Sequence, residues 1–279
     1  MNKNLIFDVG MHKGEDTSYY LKKGFQVVAF EADPDLVSIN KEKFSKEIKD
    51  GDLIIVEGAI VDKSKISTKT IKFYKNLSNS VWGTVVAKWS VRNEKMGAES
   101  KIIDVPTVDF VKCIEVYGIP YYLKIDIEGM DVVCLESLVQ FESKPAYISI
   151  ESEKVDFAQL TKEFELFEAF GYDNYQIINQ EEITLLKEPM DSREGKFLNY
   201  TFKKGSSGLF GSDYRNPWIN KKTALRNYKW IFFGYKIWGD HSRIKYWFLM
   251  SRIKGILMRL LKCKIPGWHD THARHSSIK

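Results

Sequence analysis

Strand-like and helix-like patterns alternate along the chain from its first residues. Leu5, Ile6 and Phe7 form a short apolar run closed by Asp8, which reads as a strand. Gly10 and Gly14 supply a turn, and Glu15, Asp16 and Thr17 suit the exposed N–H groups of a first helical turn. That helix runs to about Lys23 and stops at Gly24. A second strand over 25–30 ends in Glu31, and Asp33 with Pro34 opens a helix whose apolar positions are Leu36, Ile39, Phe44 and Ile48. Further strands are expected over 53–56, 71–74, 121–126, 146–150, 176–179 and 197–202. Helices are expected from a cap at Thr107 to Tyr117, over 131–139 and over 157–170. The polar stretch 76–99 reads as a loop over the site, with Ser78, Asn79 and Ser80 facing substrate. Strand–helix alternation from Leu5 to Phe170 predicts a mostly parallel sheet with helices on both faces.

From Tyr246 the period becomes helical, with Leu249, Met250, Ile253, Ile256, Leu257 and Leu260 on one face and Lys245, Arg252, Arg259 and Lys262 broadly opposite. One reading packs this helix on the body. Another lays residues 242–264 on an anionic membrane, with Trp230, Phe232, Phe233, Trp238 and Trp247 as interfacial anchors. Nucleic acid ranks last, because no nucleic-acid motif accompanies the charge.

Charge divides the chain. Residues 205–279 carry 15 Lys and Arg against 3 Asp and Glu, whereas residues 1–204 carry 27 against 34. Five of the seven tryptophans lie in the basic part. The expected organisation is therefore a body over 1–204 and a basic aromatic extension over 205–279, joined at Gly205-Ser206-Ser207-Gly208. Cys113, Cys134 and Cys263 lack metal-site spacing, and an odd number of thiols fits a reducing compartment. No apolar run reaches the length of a membrane span and no signal peptide opens the chain, so a cytoplasmic location, peripheral at the inner membrane face, is expected.

Strand, glycine turn and helix present a nucleotide-like ligand. The spacing Gly10-x-x-x-Gly14 is not that of dinucleotide folds, and the turn is led by Asp8. A carboxylate there suits S-adenosylmethionine, a sulfonium cation with a free amino group, better than the pyrophosphate of NAD. Glu31, about twenty residues on, is placed to accept both ribose hydroxyls. Ala59 and Ile60, after the third strand, are small and aliphatic enough to flank an adenine ring. Lys124, Asp126 and Glu128 alternate at the most polar strand end in the chain, where Lys124 would neutralise part of the carboxylate pair.

These blocks, LIFDVGMHKGEDT, VVAFEADP, VEGAIVD and above all YLKIDIEGMD, resemble the FkbM-type S-adenosylmethionine-dependent methyltransferases over nearly the whole length. The tail segments GLFGSDY and GWHDTHAR look like what some members carry. The resemblance implies the α/β, Rossmann-like class I methyltransferase fold with a seven-stranded sheet. It also implies methylation of a hydroxyl on a sugar, glycan or glycoconjugate. Asp8, Gly10 and Gly14 match the family's cofactor loop, Glu31 its ribose-binding acid, and Asp126, Glu128 and Gly129 the block facing methyl transfer. Where the family loop reads Ala-Asn-x-Gly, this chain has Met11-His12-Lys13-Gly14. Lys13 is expected to point outward and His12 to contact the cofactor carboxylate or the substrate. Asp16, Thr17, Ala32 and Asp126 complete the expected cofactor contacts.

Removing a hydroxyl proton calls for a base. Asp126 is the first candidate, with Lys124 and Glu128 setting its charge, and His269 and His272 are rivals. Asp126, Glu128 and Glu151 could instead gather Mg²⁺, but a site without metal is preferred. The alternatives are methylation of a protein, lipid or nucleobase amine, and a non-catalytic membrane-associated factor that keeps the fold. A nicotinamide oxidoreductase comes last, opposed by the loop spacing.

Overall fold

The computed structural model describes residues 1–95, 97–153, 156–238 and 268–278. Its centre is a seven-stranded sheet built from β1 (Asn2–Val9), β2 (Gln26–Glu31), β3 (Leu53–Glu57), β7 (Pro120–Ile125), β8 (Tyr147–Glu151), β9 (Tyr172–Asn179) and β10 (His269–His275). The order is β3-β2-β1-β7-β8-β10-β9. The pairs from β3 to β8 are parallel, and β10 runs antiparallel to both β8 and β9. The central strands are buried on both faces, which is why their sequences are continuous apolar runs and not alternating ones.

Helices α1 (Glu15–Lys23), α2 (Pro34–Lys43), α3 (Ser45–Asp50), α5 (Phe110–Tyr117), α6 (Asp131–Ser137), α7 (Phe157–Ala169) and α8 (Lys221–Trp238) surround the sheet. Two apolar clusters result. In one, Phe7, Phe30, Leu123, Ile148, Phe164 and Tyr228 pack with α5, α6, α7 and α8. In the other, Tyr19, Tyr20, Tyr122, Phe202 and Phe210 pack beneath α1. A second, three-stranded sheet of β4 (Ala59–Ile60), β6 (Ser100–Val108) and β5 (Thr70–Asn76), in the order β4-β6-β5, stands beside the first.

Several sequence expectations need correction. The stretch 76–99 is not all loop: it carries a short 3₁₀ turn, Ser80–Trp82, and helix α4 (Ala87–Lys95). Thr107 does not cap a helix. It lies in β6, whose alternation is broken by Pro106 and was therefore hard to read. The cap is Asp109, whose carboxylate accepts from the N–H groups of Val111 and Lys112. Ile39 is not a core position, being 54% exposed.

Residues 197–202 do not form a strand. Tyr200 and Phe202 pack against Tyr19, so their alternation reflects packing on α1 and not sheet pairing. The seventh strand is β10, from the far end of the chain, so the basic stretch 205–279 contributes a strand to the sheet of the body. Among the described residues no helix is long and apolar enough to cross a membrane. The amphipathic segment 242–264, with Trp247 in it, lies outside the described residues.

Candidate functional site

A cleft of about 810 Å³ opens at the C-terminal edge of the parallel strands. Its first wall is the loop after β1. Gly10 has φ +91°, and a Cβ there would lie 1.9 Å from the carbonyl oxygen of Asp126, so only glycine lets the tips of β1 and β7 approach this closely. His12 also takes a left-handed conformation, with φ +51°, a strained position for a residue with a Cβ. What holds it is Glu31. One carboxylate oxygen accepts the His12 N–H at 2.8 Å, and the other accepts the Asp33 N–H at 2.8 Å. Glu31 thus braces two loops while still lining the cleft. Burial pushes its carboxyl upward, against the pull of those two N–H groups.

The His12 ring spans the cleft mouth. Its Nε2 is 2.8 Å from Ser80 Oγ, and its Nδ1 lies 3.4 Å from Glu15 Oε2, without hydrogen-bond alignment. Burial alone would raise the Glu15 carboxyl, but His12, a backbone N–H and the Lys43 charge together outweigh it and hold the group below its usual range. Lys13 is exposed at the rim. Asn79 and Ser80 line the cleft, together with Trp82 and Arg92. This loop is anchored by the Tyr74–Thr84 bridge and by Thr84 Oγ1, which donates to the carbonyl of Glu128 at 2.8 Å.

Gly10, His12, Asp16, Glu31, Ala32, Ala59, Ile60, Lys124, Asp126 and Glu128 all line this one cleft. Asp8, Thr17, Gly14 and His269 do not. Asp8 is fully buried beneath the floor, accepts from Thr17 Oγ1 at 2.6 Å and lies 3.2 Å from Lys124 Nζ. It therefore charges the floor from below and does not itself line the cleft. Gly14 ends the loop at φ +71°, where a Cβ would strike Phe44 and Asn40. His272 is buried within the sheet, its ring edge-to-face with Tyr214, and burial holds its imidazole near pKa 3. A neutral ring inside a sheet cannot serve as the rival base.

Lys124 has Asp8 as its first partner, with the Gly10 carbonyl at 2.7 Å and Asp126 Oδ2 at 4.0 Å. Burial alone would depress its ammonium, but Asp8, Asp126 and Asp16 more than offset this and hold it above the ordinary lysine value. The Asp126 side chain is 47% exposed, and its backbone N–H is fixed to the Val9 carbonyl at 2.9 Å. Beyond it Glu128 turns at φ +48°, ending the strand alternation. Asp131 closes that turn by accepting from Ile127 and Gly129, and burial pushes its carboxyl up to about 6. Among the described residues, no three His, Cys, Asp or Glu side chains converge to hold a metal ion.

Two parts of the wall were not foreseen. Gly205, Ser206 and Ser207 form a strap over the N-terminus of α1, where both Asp16 oxygens accept the Ser207 N–H at 2.9 Å. A glycine–serine composition reads as a linker, and nothing in it shows a docked strap. Trp268, just before β10, and Asp270, within it, complete the wall. Their signal was the alternation of a strand that looked like a polar terminal turn.

Burial pushes the Asp16 carboxyl up to about 7, with the Asp8 charge adding to the effect and Lys124 opposing it. In the unfolded chain the group titrates near 3.8. The stability carried by its proton is complete below that value and is lost as pH rises to about 7. Asp16→Asn should flatten this loss. Its melting temperature should match the wild type near pH 4 and exceed it by at least about 3 °C at pH 8, from roughly 1 kcal/mol or more of relieved charge burial. Parallel pH slopes of the two melting curves would refute this account.

Strand order, one antiparallel strand set between the last two, a cleft at the strand tips and an acid ending β2 define an S-adenosylmethionine-dependent methyltransferase. The chain belongs to the FkbM methyltransferase family: the family model for the methyltransferase FkbM domain matches residues 8–174. None of the curated proteins compared with it matches.

Among solved structures, a methyltransferase FkbM from Methylobacillus flagellatus KT is 14% identical, with 63% of this chain and 39% of that chain covered and a TM-score of 0.35. A precorrin-6y C5,15-methyltransferase from Geobacter metallireducens GS-15 is 12% identical, covering 71% and 77%, with a TM-score of 0.35. A SAM-dependent methyltransferase from Archaeoglobus fulgidus is 9% identical, covering 98% and 86%, with a TM-score of 0.38. At these scores the likeness does not bear on substrate.

The residues fit the cofactor. Ala59, Ile60, Leu36 and Phe30 give the cleft apolar lining suited to an adenine ring, and Glu31 lines it too. His12 carries a buried Nδ1 without a hydrogen bond beside the loop. S-adenosylmethionine would place its ribose on Glu31 and its base against the apolar lining.

Proposed function

We propose that the enzyme methylates a hydroxyl of a sugar, glycan or glycoconjugate. When bound, S-adenosylmethionine supplies a methyl group made electrophilic by its sulfonium. The chain's own residues hold the acceptor in line and take its proton, and positioning of this kind supplies much of the rate. The observation that carries the reading is Asp126, a half-exposed carboxylate fixed at the tip of β7 and facing the cleft. It supplies a proton acceptor where the transferred methyl would meet a hydroxyl. The aromatic side chains Trp82, Trp268 and Tyr235, set among carboxylates, suit a ligand with C–H faces and many hydroxyls.

A membrane-linked acceptor belongs to the same proposal. Helix α8 supports it by presenting Trp230 and Phe233 to solvent near the exposed Lys222, Arg226 and Lys236.

Calorimetric titration tests the cofactor half. S-adenosylmethionine should bind and NAD should not. Glu31→Ala should weaken the first by about 30- to 100-fold, since two hydroxyls lose a charged acceptor at about 1.5–3 kcal/mol each, partly recovered by water. Glu31→Gln keeps one acceptor and should fall between. NAD binding, or an indifferent Glu31, would remove the reading. With cofactor binding in place, radiolabelled methyl transfer to a panel of sugar glycosides tests the acceptor half.

A further inference from the structure

Glu151 and Asp270 are direct partners across the antiparallel β8–β10 pair, so their side chains share a face of the sheet, and both line the cleft. Like charges in this position oppose sheet formation. Asp270 is more than nine-tenths buried, and its carboxyl has no hydrogen-bond or ion-pair partner among the described residues. An isolated buried carboxyl is costly unless something completes it. Lys124, the nearest cation on β7, is committed to Asp8 and the Gly10 carbonyl.

The groups acting on Asp270 come from every neighbouring element: Asp126 and Lys124 from β7, Glu151 from β8 and Asp16 from α1. Burial, then the charges of Asp126 and Glu151, push its carboxyl well above the usual carboxylate range. A hydroxyl offers one hydrogen to such a pair. A primary ammonium offers three, together with the positive charge that relieves the buried Asp270 carboxyl.

We propose that the Glu151–Asp270 pair binds the protonated primary amine of an amino-sugar acceptor, so that the substrate class is a hydroxyl-bearing sugar carrying a free amine. This rests on the acceptor reading above and narrows it. The amine is the handle, and a neighbouring hydroxyl is turned toward Asp126. Trp268, adjoining the pair on the same cleft wall, offers an aromatic face to the ring. Phosphorylated sugars would bring negative charge to a wall of carboxylates and are disfavoured.

The test is calorimetry on the full-length protein saturated with S-adenosylhomocysteine, so that the cofactor's own amine is already placed. The probes are methyl β-D-glucosaminide, methyl β-D-glucoside and n-butylamine. The glucosaminide should bind at least tenfold more tightly than either of the others. Asp270→Asn should weaken it at least tenfold, and Glu151→Gln should weaken it as well.

Unchanged S-adenosylmethionine affinity in both variants shows that they are folded. Equal binding of the glucoside, equal binding of n-butylamine, no binding at all, or indifference to Asp270→Asn would each overturn the proposal. Binding that S-adenosylhomocysteine excludes would also overturn it, since the pair would then serve the cofactor. Loss of S-adenosylmethionine binding by the wild type would instead strike the methyltransferase reading, which this result is able to single out.

Discussion

Asparagine in place of Asp126 is expected to slow methyl transfer to a hydroxyl acceptor by about 10²- to 10⁴-fold, the usual worth of a positioned acid or base. The affinity for S-adenosylmethionine should stay within a few-fold of wild type, because the groups proposed to hold its ribose and adenine lie on β2 and β4. The substitution is nearly isosteric. The backbone bond from Asp126 N–H to the Val9 carbonyl does not depend on the side chain, so the tips of β1 and β7 stay together. Single-turnover rates with radiolabelled cofactor separate this chemical effect from binding. A hydroxyl needs its proton removed as the methyl arrives, whereas a neutral amine attacks with its own lone pair. Asp126→Asn turnover equal to wild type would therefore move the transferred methyl to a nitrogen acceptor.

The wall of the cleft built by the loops after β1 and β2 was legible in the sequence because its signals are local. Gly10 and Gly14 signal a turn, Asp33 and Pro34 a helix start and Glu31 a strand end, each from its own neighbours in sequence, although Gly10 and Glu31 also act across the fold on Asp126 and His12. The observed bounds of α1 and its stop at Gly24 follow from the same short-range rules. What escaped is long-range. Asp8 reads as a cofactor ligand until Lys124, more than a hundred residues on, is seen to take its charge from below. Residues 197–202 read as a strand because strand alternation and packing of aromatic side chains on a helix leave the same trace.

The reverse error concerns β10. A stretch as polar as His269 to His275 gains strand character only from pairing on both sides, with β8 and β9 already in place. Asp270 became a cleft residue through that pairing alone. Ser207 became one through a contact with Asp16 across 191 residues. The acceptor half of the site is therefore assembled by topology, and its chemistry is not written in any one segment.

Lys124→Met is expected to be the most destabilising single change in the floor of the cleft. Removing the ammonium leaves Asp8, fully buried, with only the Thr17 hydroxyl to oppose its charge. Breaking a buried pair in this way costs about 3–5 kcal/mol. At roughly 2–4 °C per kcal/mol for a chain of this size, the melting temperature should fall by about 10 °C.

The reciprocal change is expected to be milder. In Asp8→Asn, Lys124 keeps the Gly10 carbonyl and the nearby charges of Asp126 and Asp16, so the ammonium is not left alone. The double variant Asp8→Asn with Lys124→Met removes both charges, and the introduced amide oxygen can still accept from Thr17. It should therefore recover most of the loss, giving a coupling of at least about 2 kcal/mol in a double-mutant cycle. Thermal melts of the four proteins at pH 7 decide the matter. If Lys124→Met melted with the wild type and lost only turnover, the lysine would act on the acceptor and not on Asp8. Additive losses in the double variant would show that the two charges do not depend on each other. The expected coupling instead makes the Asp8–Lys124 pair a buried strut that holds β1 against β7, and with them the Gly10 turn on which the cofactor wall depends.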